Sequence, residues 1–113
     1  MRIEYDKLIR DRIPEIMDEA GVRYEVTTMD DEAYRASLRT KLAEEAREVL
    51  EASSDEELAK ELADLLEVVH AVMTAEGLDA STVGAIRRAR RESRGGFERR
   101  LKLHWTEDMG GHG

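Results

Sequence analysis

The sequence contains no cysteine and few aromatic residues, with one tryptophan, one phenylalanine and three tyrosines. Without cysteine, neither disulfide bridges nor thiolate metal sites can form. No apolar run approaches the length of a membrane-spanning helix, and the N-terminal stretch MRIEYDKLIR lacks the apolar region of a signal peptide. We therefore expect a soluble, cytoplasmic protein.

The sequence has fewer basic than acidic residues: it contains 18 Lys and Arg and 26 Asp and Glu, which gives a formal net charge of −8. This balance argues against a protein that coats nucleic acid. It does not exclude a phosphate ligand, because a bound metal ion can reverse the local sign of the charge. A chain of 113 residues forms one domain, 1–113, with a modest core, so oligomerisation would help to bury its apolar surface.

What the sequence does contain is helical periodicity. Apolar residues at helical spacing, together with capping residues and glycines, predict four helices. Asp30 or Asp31 can cap the second helix, and Ser54 with Glu57 forms a capping box for the third. The predicted helices cover residues 14–20, 31–52, 55–76 and about 81–93. We expect an all-α helical bundle of three main helices plus a short N-terminal helix, with minor extended pieces at 22–26 and 97–105 and a disordered tail at 106–113.

Two carboxylate pairs lie on the two long helices, Glu45-x-x-Glu48 on one and Glu61-x-x-Asp64 on the other. On a helical wheel at ~100° per residue, Glu45 falls within the apolar stripe of its helix. Glu48 and Glu61 flank their stripes, and Asp64 lies one step further out. If the two helices pack through these stripes, the four carboxylates converge where they meet.

Such a convergence needs a physical reason, because carboxylates taken out of water cost free energy and raise one another's pKa. A divalent cation relieves both costs. Oxygen ligands without cysteine or a suitable histidine favour Mg²⁺, or alternatively Mn²⁺, over zinc. The alternative is that these are ordinary solvated glutamates, in a chain that contains 26 acidic residues.

Three motifs together indicate a family. They are KLIRDRIPEIM at 7–17, EExxE at 44–48 followed after twelve residues by ExxD at 61–64, and RGGF at 94–97. In this order they resemble the MazG-like all-α nucleoside triphosphate pyrophosphohydrolase superfamily, in its small single-domain branch. The resemblance spans most of the chain.

The resemblance implies that water attacks a phosphorus of a nucleoside triphosphate, which gives a monophosphate and pyrophosphate. It also implies a homodimer or homotetramer with the site near a subunit contact. The implied ligands of Mg²⁺ are Glu45, Glu48, Glu61 and Asp64. A carboxylate that is not fully used by metal can accept a proton from the attacking water, and Glu44 and Glu48 are the candidates.

Cations are also needed around a triphosphate. Lys7, Arg10, Lys41 and Arg94 are candidates, and the backbone N–H groups of Gly95-Gly96 could approach a phosphate. Each has a structural alternative. Lys41 could only pair with a glutamate one turn away, Arg10 and Asp11 could be an ion pair that attaches the N-terminus to the bundle, and the two glycines could only end a helix.

Three other functions remain open at this stage. Phosphoribosyl-ATP pyrophosphohydrolase has a related fold and similar carboxylates, but the KLIRDRIPE and RGGF motifs favour a hydrolase of nucleoside triphosphates, including non-standard ones. A helical scaffold or regulatory protein could keep the fold without turnover. Glu67-x-x-His70 matches half of a di-iron carboxylate site, but such a site needs two of these pairs.

Overall fold

The computed structural model describes residues 1–108, and this part of the chain contains four helices and no β-strand. The helices are α1 (Ile13–Glu19), α2 (Asp31–Glu51), α3 (Asp55–Ala75) and α4 (Ala80–Arg94). The predicted all-α class, with three main helices and a short first one, is confirmed. The pieces expected to be extended, at 22–26 and 97–105, form no strand. Most of the tail predicted to be disordered, residues 109–113, lies outside the described residues.

The helix ends follow from local side-chain chemistry. The Asp30 carboxylate caps α2 by accepting a hydrogen bond of 2.8 Å from the backbone N–H of Ala33. Ser54 caps α3, because its hydroxyl accepts a bond of 3.1 Å from Glu57 N–H. The capping box is only half formed: the Glu57 carboxylate accepts a bond from the Ser53 hydroxyl, at 3.1 Å. The neighbouring hydroxyl therefore takes the place of the expected backbone donor.

Helices α2 and α3 form an antiparallel hairpin, joined at one end by the three residues 52–54. At the other end, the Arg35 guanidinium donates to the carbonyl of Ala75 at 3.3 Å. Arg39 lies 3.5 Å from the Glu76 carboxylate. These contacts tie the start of α2 to the end of α3, so the middle turns of the two helices face each other.

The hydrophobic core of the described residues is small. Only Leu38, Val68 and Met73 are buried, and all three lie in the α2–α3 hairpin. Large apolar side chains such as Leu62 and Leu66 on α3 stay 43% and 58% exposed. The hairpin therefore exposes apolar surface on α3.

The chain divides into two compact units, Met1–Ala80 and Ser81–Gly113. The first contains α1, α2 and α3, and the second contains nearly all of α4 and the RGGF segment. Within residues 1–108, no helix combines the length and the apolar character that crossing a membrane requires.

Candidate metal centre

Three carboxylates meet between the two helices of the hairpin. Glu45 of α2 and Glu61 and Asp64 of α3 each offer one oxygen, and these oxygens lie within 4.8 Å of one another. All three side chains are half-buried. We call this set the carboxylate cluster. It lies where the wheel positions of the three residues place it, because the hairpin packs through its apolar stripes.

The other two glutamates of the EExxE motif lie outside the carboxylate cluster. Glu48 is exposed, but its charge is close enough to Glu61 to affect the ionisation of that residue. Glu44 is also exposed, and its carboxylate lies 3.9 Å from the Lys41 ammonium. The structure therefore brings together three of the four residues predicted to bind metal and places Glu48 beside them.

Electrostatics single out Glu61 within the cluster. Partial burial raises the pKa of Glu61, and the charges of Glu48, Asp64 and Glu45 raise it further, in that order. In the part of the chain that the structure describes, Glu61 has no salt bridge, whereas each of the other two cluster residues has one. A cation bound to the cluster would therefore relieve repulsion chiefly at Glu61.

Two basic side chains contact the carboxylate cluster. Arg10 Nη2 donates to Asp64 Oδ1 at 2.8 Å, and Lys41 Nζ lies 4.0 Å from Glu45 Oε1. Lys41 is 20% exposed, so its ammonium is held close to the helix. The ion pair of Arg10 and Asp11 is the sequence-based alternative for attaching the N-terminus, but the structure pairs Arg10 with Asp64 on α3. Phosphate binding by these two cations stays a prediction.

A small pocket opens beside Lys41, with a volume of about 160 Å³. It lies between the N-terminal segment and the first half of α2. Ser37 and Thr40 line this pocket, and neither residue was predicted from the sequence. The spacing of Ser37, Lys41 and Glu44 places the three on one face of a helix, and this spacing could have indicated Ser37. The lining residues are Asp6, Lys7, Leu8, Ser37, Thr40, Lys41 and Glu44. The pocket therefore brings Lys7, Lys41 and Glu44 together.

The RGGF segment ends α4. Gly95 has a φ of +84° and donates its N–H to the Arg91 carbonyl at 2.7 Å, which is the left-handed conformation that follows many helices. A Cβ atom at Gly96 would collide with the side chains of Arg91 and Glu98, which form an ion pair; this pairing lowers the pKa of Glu98. The helix-ending role is confirmed, and phosphate binding by Arg94, Gly95 and Gly96 stays a prediction.

Glu67 and His70 are both exposed. Across residues 1–108, the carboxylate cluster is the only group of three or more metal-ligating side chains that brings its ligand atoms together. Among the described residues, Glu67 and His70 therefore belong to no such group.

The donors of the carboxylate cluster are all oxygen atoms, which suits a hard divalent cation. Residues 3–91 match the model of the phosphoribosyl-ATP pyrophosphohydrolase family, whose members are typically dependent on divalent metal. No curated protein and no solved structure gave a match in the corresponding comparisons. The chain belongs to the phosphoribosyl-ATP pyrophosphohydrolase family, within the MazG-like all-α superfamily, and is therefore a pyrophosphohydrolase that acts on phosphoanhydride bonds.

Proposed function

We propose that the protein hydrolyses a nucleoside triphosphate to a monophosphate and pyrophosphate with the help of Mg²⁺, for which Mn²⁺ can substitute. The observation that carries this proposal is the carboxylate cluster on facing turns of α2 and α3. Glu45, Glu61 and Asp64 are the proposed ligands, and Glu48 joins them from the next turn of α2. Bound Mg²⁺ supplies charge neutralisation on the phosphate oxygens and a more acidic water.

The attacking water also needs a group that accepts its proton. Glu48 is the better candidate, because it is exposed and lies beside Glu61 without being one of the three converging carboxylates. Glu44 is the second candidate, but the Lys41 ammonium lies 3.9 Å from its carboxylate and competes for the same lone pairs. Glu48→Gln should therefore lower the rate of pyrophosphate release more than Glu44→Gln does.

The pocket beside Lys41 is the proposed place for phosphate groups that the metal does not hold. Lys7 and Lys41 supply positive charge there, and the Ser37 hydroxyl can donate a hydrogen bond. A volume of about 160 Å³ is below the ~300–1,000 Å³ of typical ligand pockets, so this space suits phosphate groups and not a nucleoside. Arg10 is a further proposed phosphate contact, as are Arg94, Gly95 and Gly96 on the strength of their motif.

Two substrates are compatible with the site. The KLIRDRIPE and RGGF motifs favour nucleoside triphosphates, including non-standard ones, whereas the family match names phosphoribosyl-ATP. The test is pyrophosphate release with Mg²⁺ from a panel of canonical and modified triphosphates and phosphoribosyl-ATP. We expect pyrophosphate release from at least one nucleoside triphosphate. Turnover of phosphoribosyl-ATP alone, with every other triphosphate inert, would make phosphoribosyl-ATP the favoured substrate. No release from any substrate would favour a helical scaffold.

The proposed partners are the nucleotide and further copies of this chain, in the cytoplasm, and not a nucleic-acid polymer or a membrane. Support for a homodimer or homotetramer comes from the hairpin, which buries few side chains and leaves Leu62 and Leu66 exposed one turn apart on α3. Two hairpins packed together would form a four-helix core.

Replacing Leu62 and Leu66 together by lysine should convert the oligomer to a monomer, because two charges cannot be buried in an apolar contact without cost. Light scattering after size-exclusion chromatography measures the mass. Val22→Lys is the control, since Val22 is 50% exposed and lies outside the hairpin. A wild-type protein that is already monomeric at micromolar concentration would contradict the proposal.

A further inference from the structure

One residue of the N-terminal segment reaches into the carboxylate cluster. Arg10 Nη2 donates to Asp64 Oδ1 at 2.8 Å, across 54 positions of sequence. The other arginine nearby, Arg12, makes only a local contact within residues 1–108: its Nε donates to Glu15 at 3.0 Å, three residues away. Two arginines two positions apart therefore have different partners, one in the cluster and one within α1.

The position of Arg10 is fixed by its neighbours. Its carbonyl accepts a bond of 3.1 Å from the N–H of Ile13, the first residue of α1. Leu8, Ile9 and Ile13 are half-buried, so apolar contacts hold the segment on both sides of Arg10. The guanidinium thus approaches Asp64 from an anchored backbone.

The ion pair is a poor source of stability. The Arg10 and Asp64 side chains are 58% and 34% exposed, and salt bridges at such positions contribute little to folding. Its consequence for Asp64 is larger. A carboxylate has two oxygens, and a planar guanidinium bound to one of them fixes the carboxylate orientation while leaving the other oxygen available. Partners that orient a metal-ligating side chain typically contribute ~10–100-fold to metal affinity.

We propose that Arg10 is a positioning residue that holds Asp64 in the carboxylate cluster and thereby sets the affinity of the cluster for a divalent cation. This inference rests on the metal site of the proposed function. It gives the N-terminal segment a role in metal binding that is separate from contact with substrate. It also predicts that the effect of Arg10 is seen without any nucleotide.

The test is a titration of the full-length protein with Mn²⁺ alone. Binding is measured as the loss of the free-Mn²⁺ signal in electron paramagnetic resonance. Arg10→Gln should weaken Mn²⁺ binding by ~10–100-fold. The matched control, Arg12→Gln, removes the same charge from the same segment and should leave the affinity within about twofold of wild type. Arg10→Lys keeps the positive charge but loses the planar guanidinium, so its Mn²⁺ affinity should lie between those of wild type and Arg10→Gln. This variant replaces Arg10→Gln in the test if the glutamine variant does not fold.

A double variant separates positioning from simple charge. In an Asp64→Asn background, Arg10→Gln should cause little further loss of Mn²⁺ affinity, because the partner that Arg10 orients is already gone. Mn²⁺ affinity that is unchanged or tighter in Arg10→Gln overturns the inference. If the KM for the triphosphate rises in that case, Arg10 acts only as the phosphate contact of the proposed function. Wild-type protein that binds no Mn²⁺ refutes the metal site itself, whereas wild-type binding with equal affinity in Arg10→Gln refutes only the role of Arg10.

Discussion

Replacing Glu61 by glutamine is expected to lower the rate of pyrophosphate release at least ~100-fold, because the amide removes a charged ligand from the centre of the cluster. Glu61 is the cluster residue with no salt bridge among the described residues, and the nearby charge of Lys60 only partly offsets the charges of the three surrounding carboxylates. Its oxygen lies within 4.8 Å of those of Glu45 and Asp64, so a cation held by those two carboxylates would be within its reach.

The same replacement should leave the protein in EDTA as stable as wild type or slightly more stable at neutral pH. The pKa of Glu61 is raised in the folded state, first by partial burial and then by the charges of Glu48, Asp64 and Glu45. The folded chain therefore holds this proton to a higher pH than the unfolded chain does. The corresponding stability is complete below the unfolded pKa and is lost as the pH rises through the folded pKa. A neutral glutamine removes this loss.

Thermal melts in EDTA between pH 4 and pH 8 measure the stability of the two proteins at neutral pH and its dependence on pH. The control is Glu67→Gln, which removes one charge from the same helix at an exposed position outside the cluster. That control should keep the turnover of wild type. A Glu61→Gln protein that melts far below wild type in EDTA at neutral pH would show that Glu61 stabilises the fold, against the repulsion argued here.

Local patterns were sufficient to predict the helices and the place of the cluster. Helix periodicity and caps depend on residues three to five positions apart, so the start of α2 follows from Asp30, and the start and end of α3 follow from Ser54 and Gly77. The convergence of Glu45, Glu61 and Asp64 needs one further assumption, that two adjacent amphipathic helices pack through their apolar stripes. The structure meets that assumption in part: Leu38 and Met73 are buried in the hairpin, whereas Leu62 and Leu66 stay exposed, and the three carboxylates still meet.

Contacts between distant parts of the chain could not be predicted in this way. The partner of Arg10 depends on how the irregular N-terminal segment packs against α3, and no periodicity governs that segment. The pocket with Ser37 likewise needs the N-terminal segment as its second wall. At the capping box, the backbone N–H of Ser54 and the hydroxyl of Ser53 are alternative donors to the Glu57 carboxylate, and the hydroxyl makes the bond. Such choices between neighbouring donors are settled by geometry, which composition does not contain.

Removal of divalent metal is expected to abolish turnover and to lower the melting temperature. EDTA should stop pyrophosphate release, and Mg²⁺ added in excess should restore it. A ligand at 100 times its Kd stabilises the folded state by about 2.7 kcal/mol, which corresponds to roughly 10 °C for a domain of this size. The shift should be larger at pH 8 than at pH 5, because a proton competes with metal for Glu61, whose pKa is raised.

Two controls separate a specific site from general screening of an acidic protein. NaCl at matched ionic strength screens the charges of a chain with net charge −8 without binding at the cluster, so it should give a much smaller shift. Glu61→Gln should lose most of the Mg²⁺ shift, whereas Glu67→Gln should keep it. Turnover that survives EDTA, or an equal Mg²⁺ shift in both variants, would mean that the meeting of Glu45, Glu61 and Asp64 has no part in the chemistry. Loss of the shift in Glu61→Gln alone would tie Mg²⁺ binding to the one carboxylate of the cluster that has no salt bridge among the described residues.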